Sequence, residues 1–454
     1  MKIIIVGCGL IGETIIKSLV AEKHDVIAID QDLSVVQRIS DTYDVMGICA
    51  SGTEYASLKE AGVETAELFI AVTGSDELNM LSCFLAKRMG AEYTIARIRD
   101  LENNEESLSF MKQQLGLSMA INPERLMAEA IYNVIKLPSA SKVERFSGRR
   151  LEMVEVLLKP DSELEGLSLI ELRKKFDEKF LICAVGRGDE VFIPNGNFIL
   201  KGGDKIGIIS ASRDIHRIIN LLAVEQKQVK DVMILGAGIT ANYLAKMLVS
   251  SRHRVKMIES NAEVCDEVCE TLPGEIRVIH GDGMSQDLLL EEGILSTDAF
   301  IALTGRDQDN ILISFYAKSQ EVPKIISKVS SDELYAIADK LGLDTMISPR
   351  KIVANIIIRY VRARESARDS QIESLYSIMG GLAEAVEFKV LPDFKYTNIP
   401  LKDMTIANDV LIAGISRGKE AIIPTGNDVI LPGDEVIVVA HGKRILSLAD
   451  IIKG

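Results

Sequence analysis

The chain has 454 residues, 47% of them hydrophobic, 5% aromatic and none tryptophan, and it carries a formal charge of −14. That apolar fraction supports packed cores, while the acidic balance argues against nucleic-acid binding, which needs a basic face to displace counterions. No run approaches the roughly 18 apolar residues of a membrane-spanning helix. The first strand opens at Lys2, leaving no room for a signal peptide, so a soluble cytoplasmic protein is expected.

The first predicted strand, Ile3-Ile4-Ile5-Val6, is apolar enough to be buried on both faces of a parallel sheet. It runs into Gly7-Cys8-Gly9-Leu10-Ile11-Gly12. In such a loop the first glycine permits the sharp turn, the second lets a pyrophosphate approach the backbone, and the third lets the helix pack on the strand. A helix from about Ile11 to Glu22 follows, with Ile11, Ile15 and Leu19 as the face toward the sheet. Its N-terminal N–H groups and dipole suit phosphates. Asp30 ends the second strand, Val26 to Ile29, where a carboxylate accepts both hydroxyls of an adenosine ribose and repels a 2′-phosphate. NAD, ADP and ATP share that diol, so the acid does not separate them.

Next, Ala71-Val72-Thr73-Gly74-Ser75-Asp76 closes a buried strand and opens a helix, with Asn79 shortly after. Thr73 offers a hydroxyl and Gly74 a close approach at the carboxyl edge, although simple N-capping would also explain the residues. Arg97 ends the strand Tyr93 to Ile98, within reach of a phosphate or a salt bridge. Asn122-Pro123-Glu124 starts a capped helix that stops near Leu137-Pro138. A polar linker is expected from Ser139 to Ser147, then a small α+β unit with hairpin turns at Arg187-Gly188 and Gly203-Asp204.

The whole order then recurs. Val232 to Leu235 leads into Gly236-Ala237-Gly238-Ile239-Thr240-Ala241, and Glu259 lies 23 positions after Gly236, as Asp30 does after Gly7. Ala241 in place of the third glycine weakens this copy without excluding it. Ala302-Leu303-Thr304-Gly305-Arg306-Asp307 and Asn310 repeat the Thr-Gly segment at an offset of 231, and Lys328 stands where Arg97 does. Ser348-Pro349-Arg350 starts the matching helix, expected to be capped by Ser348. Ile356-Ile357-Ile358 read as buried, and Arg359, Arg362 and Arg364 as its solvated end. A linker is expected from Glu365 to Ser374, then a second small unit with Arg417-Gly418 and Gly433-Asp434 turns.

Other chemistry is sparse. The six cysteines form no disulfide framework and no metal pattern and read as buried small hydrophobes, with the Cys8 thiol reachable inside its loop. His24 and His253, at equivalent places, read as surface turn residues. The resulting fold class is α/β: two Rossmann-like doubly wound parallel-sheet domains, each followed by a small α+β domain. The expected spans are 1–122 and 229–348 for the nucleotide-binding domains, 123–142 and 349–372 for helix and linker, and 143–227 and 373–454 for the small domains.

At Lys2 to Gly9, Ala71 to Thr73, Ile95 to Arg99 and the paired small units, the chain resembles the Trk potassium-uptake regulatory family, built of RCK (regulator of potassium conductance) N- and C-domains in N-C-N-C order. The resemblance implies a non-enzymatic subunit, peripheral at the inner face of the cell membrane, that binds NAD(H) or ATP and ADP. It further implies a homotetramer or dimer of dimers that gates a TrkH- or TrkG-like membrane potassium transporter. Carried over by motif, one site comprises Gly7, Cys8, Gly9, Leu10, Ile11, Gly12, Asp30, Thr73, Gly74 and Arg97. The other comprises Gly236, Ala237, Gly238, Ile239, Thr240, Glu259, Thr304 and Lys328. An NAD-dependent dehydrogenase fits less well, because no general acid or base set accompanies either cofactor domain. A regulatory subunit of another cation channel or antiporter is the nearer alternative.

Overall fold

The structure, a computed structural model, describes residues 1–99, 105–160, 162–222, 228–343, 345–365 and 370–453. The first half opens with six strands: β1 (Lys2–Val6), β2 (Asp25–Asp30), β3 (Met46–Cys49), β4 (Leu68–Ala71), β5 (Tyr93–Arg97) and β6 (Met119–Ile121). They form one parallel sheet in the order β3-β2-β1-β4-β5-β6. The apolar runs dictate this arrangement: Ile3, Ile4, Ile5 and Phe69 are 0% exposed, because crossover helices cover the sheet on both faces. The strand order reverses between β1 and β4, which opens a crevice at their carboxyl ends.

β7 (Ala140–Phe146), β8 (Leu151–Leu157), β9 (Phe180–Arg187), β10 (Glu190–Phe192) and β11 (Lys205–Ala211) then make an antiparallel sheet ordered β10-β9-β11-β8-β7. The second half repeats the first. Its parallel strands are β12 (Asp231–Leu235), β13 (Arg254–Glu259), β14 (Arg277–His280), β15 (Ala299–Ala302), β16 (Lys324–Lys328) and β17 (Met346–Ile347), ordered β14-β13-β12-β15-β16-β17. Its antiparallel strands are β18 (Ser370–Ile378), β19 (Ala383–Val390), β20 (Val410–Arg417), β21 (Glu420–Ile422) and β22 (Glu435–His441), ordered β18-β19-β22-β20-β21. The chain is therefore α/β, with two Rossmann-like sheets, each followed by a small antiparallel domain.

Two compact units result: Met1–Ala128 with Ser348–Ile358, and Glu129–Ile347 with Arg359–Gly454. Inside the second unit the two small sheets share one core, with Phe146, Met153 and Ile209 packed with Ile378, Ala385 and Val439. The Phe146 ring meets Tyr376 edge-on at 4.9 Å between centroids, and Arg150 Nε donates to Ser416 Oγ at 2.6 Å. Lys324 is buried in the same unit, donating from Nζ to the Ala140 carbonyl at 2.7 Å and to Thr345 Oγ1 at 3.0 Å.

Several expectations are corrected. The polar stretches read as linkers are edge strands, β7 and β18; residues 366–369 of the second, and 223–227 at the end of the first small domain, lie outside the described residues. A register shift between Ala140 and Lys142, and another between Ile372 and Ser374, breaks the alternation that would have marked them as strands. Arg362 is not solvated: it is 3% exposed and forks onto Glu384 at 2.7 and 3.0 Å. Ile357 and Ile358 are buried as expected, whereas Ile356 is half-buried. His24 is buried beside Glu22 rather than displayed at a turn, because its backbone N–H closes the preceding helix on Leu19.

Candidate nucleotide-binding sites

The glycine loop joins β1 to the helix Leu10–Ala21. Gly7 takes φ +92°, a left-handed conformation, and its N–H donates to the Ile29 carbonyl at 2.9 Å, tying the loop to β2. A Cβ on Gly7 would lie 2.8 Å from the Thr73 nitrogen, and one on Gly12 only 1.9 Å from the Gly7 carbonyl oxygen. These two glycines answer to the chain's own packing. Gly9 differs, because a Cβ there would meet nothing within 4 Å. It borders open space in front of a helix N-terminus, which is where a pyrophosphate fits. Leu10 is 61% exposed at that edge, while Ile11 is half-buried.

The second loop repeats this geometry. Gly236 has φ +94°, and its N–H donates to the Ile258 carbonyl at 2.8 Å. Gly238 again borders open space, Ile239 is 49% exposed, Thr240 is half-buried and Ala241 is fully buried in the helix Ile239–Ser250. Alanine at the third position is thus accommodated.

The acids sit beside the loops and also hold them. Asp30 Oδ2 accepts from the Cys8 N–H at 2.7 Å, and Oδ1 accepts from the Asp32 N–H at 3.0 Å. Glu259 Oε2 accepts from Ala237 N–H at 2.9 Å, and Oε1 from Asn261 N–H at 2.9 Å. Both Asp30 oxygens and Glu259 Oε2 keep a further acceptor site for a ribose hydroxyl, whereas Glu259 Oε1 also accepts from the Ser260 hydroxyl at 3.3 Å. Burial pushes the Glu259 carboxyl up, but the backbone N–H groups of Asn261 and Ala237 outweigh it and hold the group below the usual range.

Cys8 contributes its backbone only. Its side chain is 0% exposed, the thiol donates to the Ile29 carbonyl, and burial, then the Asp30 charge, pushes it up to about 12. The reachable thiol expected there is corrected. Cys49 and Cys269 are exposed, against the expectation that every cysteine is buried.

The strand register brings part of each predicted set together. Val6 pairs with Ile29 and with Ala71, so the first loop, Asp30 and the Thr73-Gly74 turn share one edge. Thr73 is committed to that turn: its N–H and its hydroxyl both donate to Asn79 Oδ1 at 2.8 Å. Asn79 Nδ2 in turn donates to the Arg97 carbonyl at 2.9 Å. Thr304, Asn310 and Lys328 repeat the pattern at 2.9, 2.8 and 3.1 Å. Gly74 and Gly305 border open space, as Gly9 and Gly238 do. Asn79 and Asn310, 0% exposed, are positioning residues that the site expectation missed, although their recurrence six places after each threonine was visible.

Arg97 stands one strand further out, on β5, where its Nη2 pairs with Glu124 Oε1 at 2.8 Å. Beside it, Arg99 binds Asp76 at 3.2 Å and the Gly74 carbonyl, bracing the turn from the far side. Among the described residues no cluster of His, Cys, Asp or Glu is placed to hold a metal ion, and no helix is long and apolar enough to cross a membrane.

Comparison with known proteins agrees with this fold. The TrkA-N domain model matches residues 3–123 and 232–349, and the TrkA-C domain model matches 153–223 and 385–453. A Trk system potassium uptake protein TrkA homolog of Archaeoglobus fulgidus is 32% identical over 453 residues, covering 100% of both chains. The Trk system potassium uptake protein TrkA of Halomonas elongata is 29% identical over 449 residues, 98% of this chain and 96% of that one. The solved GsuK RCK domain superposes with a TM-score of 0.64 at 16% identity, over 97% of this chain and 92% of its own. The GsuK channel bound to NAD has the same TM-score and identity over 97% and 77%. At that identity the structural likeness speaks for the fold alone, whereas the domain models and full-length relatives go further: the chain belongs to the TrkA family of Trk system potassium uptake proteins.

Proposed function

We propose that this chain is a nucleotide-sensing regulatory subunit of a membrane potassium-uptake transporter, with one NAD(H)- or adenine-nucleotide-binding site in each half. The observation that carries this reading is the open space at Gly9 and Gly238, each between a helix N-terminus and an acid hydrogen-bonded to the same loop. Bound there, the nucleotide supplies a ribose diol for the acid and a negatively charged pyrophosphate for the loop. Asp30 and Glu259 grip the diol, and the N–H groups at the start of Leu10–Ala21 and Ile239–Ser250 face the phosphates. The names of the full-length relatives supply the potassium-uptake context, and the NAD of the GsuK channel shows the ligand class a protein of this fold carries.

The chain performs no chemistry in this reading. It works by population shift, so the ligand must bind one assembly state more tightly than the other. The braced turns Thr73 to Asp76 and Thr304 to Asp307 connect the crevice to β5 and β16 through Asn79 and Asn310. A homotetramer or dimer of dimers at the cytoplasmic face of the transporter is the assembly proposed. The test is the Asp30→Ala, Glu259→Ala double variant, with potassium flux measured in vesicles carrying the transporter. Loss of NADH binding should remove the nucleotide dependence of flux; unchanged dependence with binding abolished would sink the proposal.

A further inference from the structure

The two halves part company at the helix that leaves each Rossmann sheet. In the first half Asn122 caps the helix Pro123–Lys136, its Oδ1 accepting from the Arg125 N–H at 2.8 Å. Glu124 stands in the first turn, where a carboxylate complements the positive helix end, and pairs with Arg97 at 2.8 Å. The second half keeps the proline at Pro349 but inverts the charge: Glu124 becomes Arg350, Asn122 becomes Ser348, and the first turn holds no acid.

The helix Pro349–Glu365 has 17 residues, and its first intrahelical bond runs from the Ile352 N–H to the Ser348 carbonyl at 3.1 Å. Ser348 is therefore at the cap position. It is 5% exposed, yet its hydroxyl makes no hydrogen bond, contrary to the capping role expected of it. Arg350 Nε is likewise buried without a hydrogen-bond partner. A buried hydroxyl and a buried guanidinium donor at one helix N-terminus leave donors with no acceptor, a costly arrangement unless an acceptor arrives.

We propose that this helix N-terminus is an anion site for a phosphate group, held by the Ser348 hydroxyl, the Arg350 guanidinium and the helix dipole. The first half answers the same helix end with its own carboxylate, Glu124; the second half takes an external anion. The shared chemistry is a phosphate, either free or carried by a nucleotide. The site uses none of the glycine-loop residues and does not depend on the function proposed above.

The test titrates the full-length protein with inorganic phosphate, and separately with ATP, by calorimetry, with thermal denaturation confirming that each variant is folded. Saturable phosphate or ATP binding weakened at least about tenfold by Arg350→Glu, and also weakened by Ser348→Ala, is the expected result. Arg350→Gln serves as the milder variant should the charge reversal unfold the helix. Phosphate displaced by ATP assigns the anion to the nucleotide, whereas additive binding assigns it to free phosphate. Equal binding by wild type, Arg350→Gln and Ser348→Ala, or no saturable binding of either probe by wild type, overturns the proposal.

Discussion

At the scale of single residues, the strongest constraints come from groups that never touch a ligand. Asn79 is fully buried and satisfies four polar atoms at once: the Thr73 N–H, hydroxyl and carbonyl, and the Arg97 carbonyl. Asn79→Ala leaves them unpaired, and each buried unsatisfied group costs about 1–3 kcal/mol. A net loss of about 2–4 kcal/mol in denaturant unfolding is expected, with weakened nucleotide binding in the first half. Stability unchanged by Asn79→Ala would show that the turn holds itself. The cysteines give a second check. Burial and the Asp30 charge keep the Cys8 thiol protonated, whereas Cys49 and Cys269 are exposed. A maleimide at about pH 8 should label Cys49 and Cys269 in the native protein, with Cys8, Cys83 and Cys183 reacting only after unfolding. Fast native labelling at Cys8, read by peptide mass spectrometry, would contradict the loop geometry. The glycines and the acids Asp30 and Glu259 beside them were legible in the sequence, because their spacing is set by local turn geometry. The asparagines were quoted only as matched positions, because what they do depends on strands brought together by the fold.

At the scale of elements, the small domains carry a pair that sequence patterning read only as turn residues. Arg187 forks onto Asp204 at 2.7 Å through both nitrogens, and Arg417 forks onto Asp434 at 2.9 and 2.8 Å. Asp204 and Asp434 are 1% and 2% exposed, so each arginine neutralises a buried charge at the edge of its sheet. Arg187→Met should therefore cost about 3 kcal/mol, since it strands a buried carboxylate. A loss under about 0.5 kcal/mol by denaturant titration would mean that Lys201 N–H and solvent already satisfy Asp204. The parallel strands were legible as unbroken apolar runs between turn signals. The edge strands β7 and β18 were not, because a bulge near the start of each shifts the buried positions out of the two-residue period.

At the scale of the molecule, duplication was legible and its consequences were only partly so. Motifs repeated in the same order along both halves foretold two Rossmann sheets and two small sheets. Nothing in the periodicity told which apolar faces meet, so the single core shared by Phe146, Met153, Ile378 and Val439 emerged only from the structure. The duplication is also imperfect in a way that bears on function. Ala241, Lys328 and Arg350 replace Gly12, Arg97 and Glu124, yet Gly238 keeps the same open space and Glu259 the same hold on its loop as their counterparts. The proposed function turns on nucleotide binding in both halves. Calorimetric titration of the purified chain with NADH tests it most directly. Two sites per chain are expected, one lost in Asp30→Ala and the other in Glu259→Ala. A single site lost in Asp30→Ala would make the second cradle a relic, and no binding of NADH, ATP or ADP would contradict nucleotide sensing by either half.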